Sequence, residues 1–151
     1  MRRSKMFGKL VVVGVAAAIG AAAGEASAQE QAAGAVNLPV DELGLAPGQP
    51  VVVWGDREQP GEDGYGMFLV LPAGVEVGMH AHTGDYYGIN LQGTWVRTVE
   101  GDPVEKELPP GSYVFQPGGQ FHNDRCAGPD DCVLFLHQHA AGDFIPPPEA
   151  R

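Results

Sequence analysis

Residues 74–93 read GVEVGMHAHTGDYYGINLQG, and residues 111–122 read GSYVFQPGGQFH. His80 and His82 are separated by a single residue. On an extended chain, side chains at i and i+2 share one face about 7 Å apart, so both imidazoles can reach one ion. A neutral imidazole binds a divalent first-row metal at about 2.0–2.1 Å, and a third imidazole from a neighbouring strand completes one face of a site with open positions. His122, set in its own Gly/Pro frame, is the candidate third ligand.

The frames extend beyond the histidines. Gly74 precedes His80 by five intervening residues, Tyr86 follows His82 after three, and Gly93 follows Tyr86 after six. Downstream, Gly111 is followed by Pro117, Gly119 and His122 in the spacing G-x-x-x-x-x-P-x-G-x-x-H. The pair resembles the two signature motifs of the cupin superfamily. The stretches HTGDYYGINLQGT and LPPGSYVFQPGGQFH resemble most the ChrR-type group, which includes the zinc-binding cupin domain of an anti-sigma factor and many small secreted proteins. The resemblance implies an all-β jelly-roll sandwich or barrel over residues 51–145, with one divalent metal (Zn, Fe, Mn or Ni) held by His80, His82 and His122. Two departures stand out: Tyr86 occupies the position of the family's glutamate ligand, and Cys126 that of the asparagine ending the second motif. Three histidines without the carboxylate resemble the three-His iron dioxygenases among cupins as much as the zinc-binding members.

Further polar residues are candidates for supporting roles. Tyr86 can act as a ligand, a hydrogen-bond donor or a wall, and Asp85 beside it is the nearest carboxylate able to replace the missing one. Asn90, Gln92 and Gln116 can hydrogen-bond a substrate or a metal-bound water, or pair within the sheet. His137 and His139 repeat the i, i+2 spacing without the Gly/Pro frame, and read as pocket wall and strand end or as a competing ligand pair. The aromatic residues Trp54, Tyr65, Phe68, Trp95, Tyr113, Phe115 and Phe121, with Met67, read as core or pocket lining.

The chain opens with Arg2, Arg3, Lys5 and Lys9, then an apolar run over residues 10–23 and the small-residue site Ala26-Ser27-Ala28. This is the pattern of a secretory signal peptide cleaved after Ala28, and the run is shorter than the ~20 residues of a spanning helix. Its removal takes away four of nine basic and one of nineteen acidic residues, moving the formal charge from −10 to −13. So acidic a surface repels phosphate backbones and anionic lipids, which argues against nucleic-acid and membrane-surface partners. About 123 residues remain, enough for one domain. Cys126 and Cys132, in an exported chain and flanking the turn-forming AGPDD, are expected to form a disulfide, with a thiolate metal ligand as the rival reading.

Residues 29–50 read as an Ala/Gly/Pro-rich leader with one short strand near 36–40, and residues 146–151 as a tail. Strands are expected at 51–54, 65–71, 75–80, 86–92, 94–100, 105–108, 113–116 and 132–139, with no helix outside the signal peptide. On strand 86–92, Tyr87, Ile89 and Leu91 share an apolar face opposite the metal-lined one, which predicts a homodimer covering them. No nucleophile elbow, phosphate-cradling loop or basic-aromatic run is present. The expected function is an exported metal-binding cupin, either a dioxygenase-like oxidoreductase of a small polar or carbonyl-bearing molecule or a non-catalytic binder or sensor.

Overall fold

The structure, a computed structural model, describes residues 34–148. The signal-peptide reading, residues 29–33 of the leader and the last three residues lie outside this range. Eight strands follow in order: β1 Val51–Trp54, β2 Tyr65–Leu71, β3 Tyr86–Gln92, β4 Thr94–Val99, β5 Asp102–Leu108, β6 Tyr113–Gln116, β7 His122–Ala127 and β8 Cys132–Gln138. They form two antiparallel sheets, one of five strands in the order β1-β2-β8-β3-β6 and one of three in the order β5-β4-β7. The core lies between them. Tyr65, Met67, Leu71, Tyr86, Leu134 and Leu136 from the large sheet meet Trp95 and Cys126 from the small one.

The chain crosses between sheets at Gly93, which alone separates β3 from β4. Its φ of +74° is left-handed, and a Cβ there would lie 2.7 Å from the Asp131 carbonyl, so only glycine fits the corner. A second link is the Cys126–Cys132 disulfide, which ties β7 of the small sheet to β8 of the large one and removes both sulfurs from the pool of metal ligands. Closing a loop of six residues stabilises by about 2 kcal/mol in the chain-entropy model. The double variant C126A/C132A is therefore expected to lose about that much in urea unfolding, and an unchanged midpoint would contradict it.

Three expectations about elements are corrected. First, no strand forms at 36–40; Val40–Glu42 is a single 3-10 turn, and Val36, Leu38 and Val40 are exposed, so no apolar burial rewards an extended pairing there. Second, residues 75–80 do not form a regular strand. They run beside β7 through Val77 N–H to Asp124 O, Cys126 N–H to Val75 O and reciprocal His80–His122 bonds of 2.8 Å. Between the Glu76–Arg125 and His80–His122 bridges this side carries one residue more than β7, and Gly78 at φ +87° absorbs it as a bulge. Third, His122–Ala127 is a strand that hydrophobicity hides: its buried residues are His122, Asp124 and Cys126. Among the aromatics, Tyr65 and Trp95 are core, whereas Tyr113 and Phe115 are exposed on the outer face of the large sheet.

Candidate metal centre

The bulge and β7 together bring the three motif histidines to one point. His80, His82 and His122 offer donor atoms that all lie within 4.8 Å of one another. Each ring has its Nδ1 on a backbone carbonyl: His80 on Gly78 at 2.8 Å, His82 on Asp143 at 2.7 Å and His122 on Gln120 at 3.2 Å. A carbonyl only accepts, so the two short contacts place the proton on Nδ1 of His80 and His82 and turn their Nε2 lone pairs to a cation, while His122 Nε2 faces the Tyr86 hydroxyl and Asp124. The donor set fits a divalent ion of the zinc or iron type. Burial, together with the neighbouring imidazole charges, pushes the His80 and His82 pKa values down and keeps both rings in the neutral form that ligation requires.

Beside the histidines lies a buried polar network that takes in the candidates Tyr86 and Gln116 and is centred on a charged pair, Asp124 and Arg97, that the sequence analysis does not single out. Asp124, two residues beyond His122 and on the same face of β7, has Oδ2 3.3 Å from His122 Nε2 and 3.8 Å from His80 Nε2. Its Oδ1 accepts from Arg97 Nε at 2.7 Å and from Trp95 Nε1 at 2.9 Å. Arg97 Nη2 in turn donates to the Tyr86 hydroxyl and to Gln116 Oε1, each at 2.9 Å. Burial by itself would raise the Asp124 pKa, but the His122 contact and the Arg97 charge outweigh it and hold the carboxyl at about 2. Burial and the Asp124 charge push the Tyr86 phenol well above its ordinary value, so it stays protonated 3.3 Å from His122 Nε2. The available signals were Asp124 at i+2 from His122 and Arg97 inside an otherwise uncharged strand, TWVRTV.

The other candidates scatter. Gln116 belongs to the network through Arg97. Asp85 accepts from Gly118 N–H at 2.7 Å, fastening the turn before His122 and leaving the metal point alone. Asn90 is buried away from the site, donating to Gly93 O and Leu108 O, and exposed Gln92 donates to Asp131 O after a register shift in β3. His137 Nε2 contacts Asp63 O and, with His139 4.6 Å away between ring centroids, lies among Trp54 and Tyr87 on the large sheet. Neither joins the cluster.

A cavity of about 260 Å³ opens from His80 and His82 into the sandwich, walled by Met67, Leu69, Leu71, Leu134 and Leu136, with Arg57 among its lining residues. The segment after β8 closes one side. Asp143 holds His82, its carboxylate accepts from Thr83, Ile145 bridges Ala81, and the Phe144 ring stacks on His80 at 4.6 Å.

Comparison with solved structures places the fold. A Klebsiella pneumoniae protein with a double-stranded beta-helix domain superposes with TM-score 0.57 at 20% identity, over 76% of this chain and 100% of that one. A cupin-2 domain protein from Rhodospirillum rubrum gives 0.55 at 16% identity over 66% and 65%. KdgF from a Halomonas species gives 0.51 at 24% identity over 63% and 83%. No protein-family model matches the chain, and no curated protein matches it. The fold is the cupin double-stranded β-helix, with a three-histidine cluster at its mouth.

Proposed function

We propose that this chain is an exported, mononuclear-metal cupin of the ChrR-like kind, in which His80, His82 and His122 hold one divalent ion and the adjoining cavity takes a small molecule. The observation that carries it is the convergence of the three rings, whose donor atoms lie within 4.8 Å of one another while each Nδ1 sits on a backbone carbonyl. A divalent ion there supplies Lewis acidity, and iron adds redox chemistry with O₂. The chain's own part is to orient the rings, keep His80 and His82 neutral, and exclude bulk water with aliphatic walls. Those walls favour a substrate whose body is apolar and whose carbonyl or other polar group faces the histidines. The disulfide fits an oxidising compartment.

The reading is tested with iron-loaded protein in an oxygen electrode across a panel of small carbonyl-bearing molecules. Substrate-dependent O₂ uptake, absent in His80→Ala, is the expected result. Tightly held zinc with no exchangeable water would instead support the non-catalytic binder, which the Phe144 ring stacked over His80 favours. A homodimer belongs to the same proposal. Tyr87, Ile89, Leu91, Tyr113 and Phe115 are all exposed on β3 and on β6, the last strand of its sheet. Sedimentation at micromolar concentration is expected to give a dimer for the wild type and a monomer for Ile89→Glu; a wild-type monomer would reject the interface.

A further inference from the structure

We propose that Asp124 is the carboxylate ligand of this centre, supplying from β7 the negative charge that the first motif lacks because Tyr86 stands in its glutamate position. The inference rests on the metal-centre reading above and adds a ligand to it. Two donors about 2.0–2.2 Å from one ion and at cis or tetrahedral angles are separated by about 2.9–3.5 Å. Asp124 Oδ2 is 3.3 Å from His122 Nε2 and 3.8 Å from His80 Nε2, so it already faces two of the three imidazoles at nearly that spacing.

The other half of the carboxylate is spoken for. Oδ1 accepts from both Arg97 Nε and Trp95 Nε1, which pins the group and leaves Oδ2 as the oxygen turned toward the histidines. A ligating carboxylate steadied by outer hydrogen bonds is a recurrent arrangement of metal sites. Asp124 is buried, only 8% exposed, and lines the cavity beside His80. Tyr86, whose hydroxyl accepts from Arg97 Nη2, then lies next to the ligand set as a neutral wall. As counter-ion to Arg97 alone, Asp124 would keep these contacts and stay out of reach of the ion.

A crystal structure of the zinc-loaded wild-type protein is expected to place Asp124 Oδ2 about 2.0–2.2 Å from the ion. In solution, Asp124→Asn is expected to weaken zinc binding by more than about 100-fold, beyond the 10- to 100-fold range of groups that act through another ligand. It should also change the visible spectrum of the cobalt-substituted protein. Oδ2 farther than about 3 Å from the ion, or a D124N protein with wild-type zinc affinity and cobalt spectrum, overturns the assignment while leaving the three-histidine centre standing. Unchanged affinity in His122→Ala would sink that centre itself. Should D124N fail to fold, the wild-type zinc structure decides alone.

Discussion

Replacing Arg97 by methionine is expected to lower the unfolding free energy of the metal-free protein by about 3–5 kcal/mol, because it leaves a buried carboxylate without its counter-charge. Arg97 is 6% exposed, and it holds Asp124, Tyr86 and Gln116 at once while its guanidinium packs 4.9 Å from the Trp95 ring. Methionine can replace the packing but none of the three hydrogen bonds. The pair also has a signature in acid. Asp124 titrates at about 2 in the folded protein against an ordinary 3.8, so its contribution is complete above pH 3.8 and is lost as pH falls through about 2. Urea unfolding at pH 5 and pH 3 should show part of this loss in the wild type and less of it in Arg97→Met, where the His122 contact to Asp124 remains. A destabilisation under about 1 kcal/mol would show the network to be incidental.

Replacing His122 by alanine is expected to weaken zinc binding on the order of a thousand-fold, more than a supporting group would cost. His122 is fully buried, and its backbone is locked to His80 by paired 2.8 Å hydrogen bonds, so its ring is already where a ligand must be. Preorganisation of this kind means that the ion meets a formed site and little ordering entropy opposes binding. Calorimetric titration of the variant, with its fold checked by circular dichroism, is the measurement; an affinity within tenfold of wild type would contradict the assignment.

The two motifs made the jelly roll and the triad of His80, His82 and His122 legible because glycine and proline mark corners that few other residues can form. Alternation did the same for β3, where Tyr87, Ile89 and Leu91 are exposed opposite buried Tyr86, Gly88 and Asn90. It failed past Asn90, where a register shift turns Gln92 outward. β7 escaped because HNDRCA lacks the apolar alternation that signals a strand; of its three inward residues two, His122 and Asp124, are polar and the third, Cys126, is in the disulfide. For the same reason the sequence points to Asp85, the carboxylate nearest Tyr86, and not to Asp124, the one the fold sets beside His122. Which carboxylate reaches an ion depends on cross-strand pairing, and one strand's sequence does not contain its neighbour.

The most direct measurement is the number of divalent ions retained by the wild-type protein after zinc exposure and exhaustive dialysis, read by elemental analysis beside the His80→Ala/His82→Ala/His122→Ala triple variant. One ion per chain in the wild type and none in the variant is the predicted result; equal retention by both, or none in either, would contradict a metal centre built on these histidines.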